Sequence, residues 1–148
     1  MKLLIINGPN LNMLGIREPQ HYGSESYADL QEKIKRFCAE NGIGVEIKQS
    51  NHEGDLVDFI QSAYFDGTDG IVINPGAYTH TSVALLDAVK SVSLPCVEIH
   101  ISDLASREEF RQISYIRAAC IATVSGEGTN GYISAIKLLT NHIKESKK

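Results

Sequence analysis

Five short apolar runs, each trailed by a stretch of helical periodicity, constrain this chain more than any other feature. The runs are Leu3-Leu4-Ile5-Ile6, Val45 with Ile47, Gly70-Ile71-Val72-Ile73, Cys96 to Ile101, and Cys120 to Val124. Continuous apolar runs of this length suit strands covered on both faces. Val45 and Ile47 instead alternate with Glu46 and Lys48, which predicts a strand with one wetter face. Over residues 26–41, Leu30, Ile34, Phe37 and Cys38 recur at helical spacing, and Asn41-Gly42 ends the period. Leu56, Phe59, Ile60 and Ala63 mark a second helix over 54–66. Val83, Leu86 and Val89 mark a third from Thr79 to Val92, and Ile133, Ile136, Leu139 and Ile143 a closing helix from Gly131 to Lys147. Arg107 to Arg111 reads as a short helical turn. Strand–helix alternation predicts an α/β fold, and five units predict a flavodoxin-like three-layer sandwich around a five-stranded parallel sheet of order 2-1-3-4-5. The 148 residues suit one domain over 1–148.

Charge and cysteines narrow the function. Lys plus Arg is 14 against 18 Asp plus Glu, a net charge of −4. That balance argues against a nucleic-acid backbone or an anionic membrane surface, both of which call for a basic face. The apolar run at residues 3–6 is too short for a signal-peptide core, and no run approaches the ~20 residues that span a bilayer. Cys38, Cys96 and Cys120 form no CxxC pair. Cysteines acting as small core hydrophobes in a reduced, cytoplasmic protein fit that usage.

In open parallel sheets, ligands bind outside the carboxyl ends of the strands. Strand one runs into Gly8-Pro9-Asn10, strand three into Asn74-Pro75-Gly76, and strand four ends on Glu98, His100 and Ser102. Glu98 and His100 are two apart and share a strand face, where both are costly unless paired. They are either a satisfied structural pair or an oriented general acid. Thr81 or Ser82 stands at a helix N-cap, and His80 beside it is a ligand contact or a cap. Arg107 and Arg111 at i, i+4 are a solvated surface pair or an anion clamp. Gly126 to Gly131 spells G-x-G-x-x-G but follows the last strand, so a tight turn explains it better than a dinucleotide site. His52, His80 and His100 with Glu98 match no local metal spacing. Leu11 to Ser24 is long for a strand-to-helix connection and carries Arg17 and Tyr22. A nearby arginine can stabilise a phenolate, and the alternative is a mobile loop with an exposed tyrosine.

Taken together, the stretches NGPNLNMLGIREPQHYG (7–23), QSNHEGDLVDFIQ (49–61), INPGAYTHTSVALLDA (73–88) and EIHISDLASREEFR (98–111) resemble the type II 3-dehydroquinate dehydratases, or type II dehydroquinases. The likeness runs from Leu4 to about Leu139. It implies a trans elimination of water from 3-dehydroquinate to give 3-dehydroshikimate, without cofactor or metal. By it, Tyr22 is the base and Arg17 holds it as phenolate. Asn10 positions a water against an enolate, and His100, oriented by Glu98, protonates the leaving hydroxyl. Asn74 and the backbone N–H groups of Ile101 and Ser102 bind carboxylate. His80 and Arg111 hold ring hydroxyls, and Arg107 supports the lid or the substrate. Asp87 completes a neighbouring subunit's site, in a homo-oligomer built from trimers into a dodecamer. The chain departs from the family at Asp103, where Asn is usual, and at Arg117 and Ala122, where smaller residues stand. Asp103 is expected to face the surface, and the other two to touch packing or interfaces. A non-catalytic flavodoxin-like binding module, an oligomeric scaffold and a metal-dependent lyase built on His80, His100 and Glu98 are the alternatives.

Overall fold

β1 (Lys2–Asn7) lies inside the sheet, with β2 (Gly44–Gln49) on one side and β3 (Gly70–Asn74) on the other. The computed structural model describes all 148 residues. β4 (Cys96–His100) and β5 (Ala122–Ser125) extend the sheet beyond β3. Every pairing is parallel and the order is β2-β1-β3-β4-β5, as the alternation predicts.

Side-chain alternation divides the core in two. Leu3 and Ile5 of β1, Val72 of β3, and Val97 and Ile99 of β4 point to one face. There they meet α2 (Tyr27–Glu40) and α5 (Asn130–Ser146) through Leu30, Ile34, Ala135, Ile136 and Leu139. Leu4, Ile6, Ile71, Ile73 and Cys96 point to the other. They are covered by α3 (Glu53–Phe65) and α4 (Val83–Val92) through Leu56, Ile60, Leu85 and Val89. Each such buried aliphatic side chain contributes ~1.5–3 kcal/mol. β2 is one of the two edge strands and is only half-buried, which is why its sequence alternates. α2 begins in a capping box, with Ser26 Oγ accepting from Asp29 N–H and Asp29 accepting from Ser26 N–H.

The helix after β3 starts later than its periodicity suggests. Gly76–His80 is a 3-10 turn, and α4 starts at Val83 with Ser82 as its cap. The later start turns the helix face. Val83 is exposed and Leu86 half-buried, whereas Val89 is buried as expected and Leu85, Ala88 and Val92 share the contact with it. Cys120 precedes β5 and is half-buried, and its sulfur is unbridged like those of the buried Cys38 and Cys96. In α5, Ile133 is only half-buried, whereas Tyr132 is fully buried.

The ends of β1 and β3 meet closely. A Cβ on Gly8 would lie 2.5 Å from the Pro75 carbonyl oxygen. Gly8→Ala therefore forces two backbones apart beneath Asn10. The expected result is a loss of ~1–3 kcal/mol in denaturant unfolding, as for other overpacked sites.

Candidate active site

The carboxyl ends of β1, β3 and β4 and the long connection after β1 line one cleft, as expected for an open parallel sheet. Asn10, Arg17, Tyr22, Asn74, His80, His100, Ile101, Ser102, Arg107 and Arg111 all contribute to its wall. Three guanidiniums face the cleft and no aspartate or glutamate lines it. In a chain of net charge −4, that concentration of positive charge selects a small anionic ligand.

The long connection folds back through a short helix, α1 (Pro19–Tyr22), which begins on proline and ends at Gly23 with φ +78°. This brings the Tyr22 hydroxyl to 2.9 Å from Arg17 Nη2 and 3.1 Å from Arg107 Nη1. The Arg17 guanidinium also lies over the Tyr22 ring, 3.9 Å from its centre. Arg107 Nη1 further donates to Ser102 Oγ at 3.1 Å. Burial opposes the Arg107 charge, but its hydrogen bond and attraction to the Tyr22 oxygen outweigh that, so the guanidinium is held more firmly protonated. Two guanidiniums therefore converge as donors on one phenol oxygen.

Glu98 and His100 lie on the α4 face of β4, where an apolar residue would otherwise pack. His100 Nε2 is 2.5 Å from Glu98 Oε2. With Nε2 committed, Nδ1 is the ring nitrogen left to exchange a proton. The same carboxylate accepts from Ser114 Oγ at 2.8 Å and Thr79 Oγ1 at 2.9 Å. Its other oxygen accepts from Arg117 Nε and Thr123 Oγ1, each at 3.3 Å. Burial pushes the Glu98 carboxyl up, but the bond and charge of His100 and the two hydroxyls outweigh it, and it falls to about 2.

A carboxyl lowered from an ordinary value near 4.5 stabilises the fold fully above that pH, and the contribution disappears as pH falls toward about 2. Urea unfolding is expected to lose on the order of 3 kcal/mol between these limits through Glu98, at 1.36 kcal/mol per pH unit. Glu98→Gln flattens that part of the profile.

His80 Nδ1 is 2.6 Å from the Ile113 carbonyl, so Nδ1 carries the proton and Nε2 is the acceptor. Burial, with the nearby His100 and Arg111 charges, outweighs that carbonyl and moves His80 below its ordinary value, which keeps the ring neutral at pH 7. The Ile101 and Ser102 carbonyls accept from Gly128 N and Gly126 N, while their own N–H groups have no partner in the protein. Asn10 sits in the left-handed region at φ 71°, held by a 2.9 Å bond from its N–H to Asn51 Oδ1.

Eleven of the twelve sequence-proposed residues thus gather at one place, ten on the cleft and Glu98 behind His100. Asp87 does not: it is exposed on α4 and lines no part of the cleft. Asp103 is exposed and caps the turn at Leu104–Ser106 by accepting from Ala105 N–H. Arg117, expected to touch packing or interfaces, also reaches the Glu98 carboxylate with its guanidinium. Sequence reasoning missed Thr79, Ser114 and Thr123, whose hydroxyls surround Glu98, and Asn51 and Tyr132. No group of three or more His, Cys, Asp or Glu side chains is placed to hold a metal ion.

A cleft with a guanidinium-bound phenol, a carboxylate-bound imidazole and unpaired N–H groups is equipped to take and give protons around a bound anion, which places the chain among α/β acid–base enzymes. The family model described as Dehydroquinase class II matches residues 1–140. A 3-dehydroquinate dehydratase of Clostridium perfringens is 51% identical over 144 residues, covering 97% of this chain and 99% of its own. One of Caldicellulosiruptor bescii is 54% identical over 138 residues, 93% and 95% of the two chains. The crystal structure of the type II dehydroquinase of Butyrivibrio crossotus superposes with a TM-score of 0.94 at 55% identity, over 95% of this chain and 97% of that one. The chain belongs to the class II dehydroquinase family.

Proposed function

We propose that this protein is a hydro-lyase that converts 3-dehydroquinate to 3-dehydroshikimate, a step toward aromatic amino acids, by an acid–base route through an enolate. The contact of Tyr22 with both Arg17 and Arg107, in the same cleft as His100, carries this reading. Tyr22 as phenolate takes the proton from the carbon between the ketone and the hydroxyl-bearing carbon. The electrons of that C–H bond move onto the ketone oxygen as an enolate. Asn10 positions a water against that oxygen, the place where charge develops. His100, as imidazolium with Nε2 on Glu98, gives the proton on Nδ1 to the departing hydroxyl, which leaves as water. The enolate collapses to a ketone conjugated with the new double bond. Tyr22 then holds a proton that His100 lacks, and solvent restores both.

Asn74 and the unpaired Ile101 and Ser102 N–H groups take the carboxylate. Neutral His80 accepts from a ring hydroxyl through Nε2, and Arg111 donates to one. Exposed Val83, Phe110, Ile113 and Tyr115 support a homo-oligomer, and the family resemblance extends that to a dodecamer built from trimers in which Asp87 reaches a neighbouring cleft. Three unbridged cysteines support a cytoplasmic setting.

The test is ultraviolet absorbance of the conjugated enone acid when the protein meets 3-dehydroquinate with a chelator present. A rise catalysed by the protein is expected. A flat trace from folded protein overturns the assignment.

A further inference from the structure

One buried polar chain leads out of the cleft, and beyond Asn74 its members take no part in the chemistry above. It joins Asn74 at the end of β3, Tyr132 in the first turn of α5, Asn7 at the end of β1, and Tyr27 at the start of α2. Asn7 and Asn74 face each other in the parallel register, and both point to the α5 face of the sheet. Tyr132 and Asn7 are fully buried and Asn74 is 3% exposed. Burying three polar side chains at the junction of β1, β3 and α5 is costly unless every donor meets an acceptor.

Donors and acceptors fix the direction of the whole chain. The Gly76 N–H, which can only donate, lies 3.1 Å from one end of the Asn74 amide, so that end is Oδ1. Nδ2 therefore faces Tyr132 and donates to its hydroxyl oxygen at 2.9 Å. Tyr132 has a single O–H, and it donates to Asn7 Oδ1 at 2.6 Å. Asn7 Nδ2 donates onward to the Tyr27 hydroxyl at 3.3 Å. Burial pushes the Tyr132 phenol above its ordinary value, so the proton stays on it. Rotating the Asn74 amide by half a turn would set its NH2 against the Gly76 N–H. It would also set its carbonyl against a hydroxyl oxygen whose proton is committed elsewhere. Only one orientation survives, and it leaves one Nδ2 hydrogen of Asn74, a cleft residue, without a protein partner.

We propose that Tyr132 and Asn7 are positioning residues that lock the Asn74 carboxamide with an N–H turned to the anionic end of the substrate. The proposal rests on the function proposed above. Neither residue touches substrate, so their effect falls on binding and spares the proton transfers at Tyr22 and His100.

The test is steady-state kinetics of native protein, Tyr132→Phe and Asn7→Leu on 3-dehydroquinate, with thermal unfolding of each. Tyr132→Phe removes both the acceptor for Asn74 and the donor to Asn7. Asn7→Leu removes the acceptor for the Tyr132 proton, which is then free to turn against the Asn74 NH2 and favour the opposite rotation of that amide. KM is expected to rise about tenfold in both, the value of one net hydrogen bond, with kcat within about twofold of native. A lower melting temperature with KM unchanged in a folded variant overturns the proposal and leaves the chain a packing feature. A fall in kcat at constant KM overturns it as well. If one variant does not fold, the other decides. Native protein inactive on 3-dehydroquinate overturns the proposed function, and this proposal with it, whereas active native protein with indifferent variants overturns this proposal alone.

Discussion

Tyr22→Phe is expected to lower kcat on the order of 10³-fold, within the ~10²–10⁴ range that a positioned acid or base supplies. The substitution removes one oxygen. That oxygen is the atom on which Arg17 and Arg107 converge. The ring stays, and with it the stacking under the Arg17 guanidinium. Tyr22 is half-buried with its ring packed against the core, and phenylalanine keeps that ring, so the melting temperature should move little. KM should stay within a few-fold of native, because the groups proposed to hold the carboxylate lie on β3 and after β4. Loss of kcat with KM and stability retained is the signature of an interaction made in the transition state. Circular dichroism and steady-state kinetics on the same preparation check all three parts.

Glu98→Ala is expected to cost more stability than either Gly8→Ala or Tyr22→Phe. The side chain is fully buried and its two oxygens meet His100, Thr79, Ser114, Arg117 and Thr123. Removing one partner of a buried ionic network leaves the others uncompensated, at a cost of ~3–5 kcal/mol. For a chain of this size that corresponds to roughly 10 °C in melting temperature. Activity falls too, on the order of 10²-fold, because His100 loses the carboxylate that orients its ring and fixes its tautomer. Scanning calorimetry and kinetics check both. His100→Ala separates the two effects: it should match the catalytic loss while leaving the hydroxyls and Arg117 on Glu98.

The contrast between these two residues follows from how each was legible in the sequence. Glu98 and His100 stand out because a strand with period two and an apolar surround admits no unpaired charge. Tyr22 lies on a connection with no period, where its neighbour Arg17 leaves a phenolate and an exposed tyrosine both open, and its place among the family's motifs decides between them. The strand order was legible because alternation of buried runs and helical stripes leaves few sheet topologies. The start of α4 was not, because Thr79 and His80 fit a helical spacing while the chain takes a 3-10 turn there to carry His80 to the cleft. Thr79, Ser114 and Thr123 escaped because a hydroxyl carries no periodic signal and meets Glu98 only through tertiary packing. Tyr132 was hidden differently, since an aromatic in the first turn of an amphipathic helix reads as core filling. Arg117 reads in the sequence as a change in packing or at an interface, and although it is exposed its guanidinium reaches inward to a fully buried carboxylate.

The division of labour between Tyr22 as base and His100 as acid is open to a single measurement. His100→Ala leaves the proposed base intact and disables departure of the hydroxyl. In heavy water this variant should exchange the hydrogen next to the ketone of 3-dehydroquinate for deuterium faster than the protein-free solution does, with little loss of water. Proton magnetic resonance follows both. Adding Tyr22→Phe to the same variant should return exchange to the protein-free rate. Exchange by the double variant as fast as by His100→Ala alone would contradict the assignment of Tyr22 as the base.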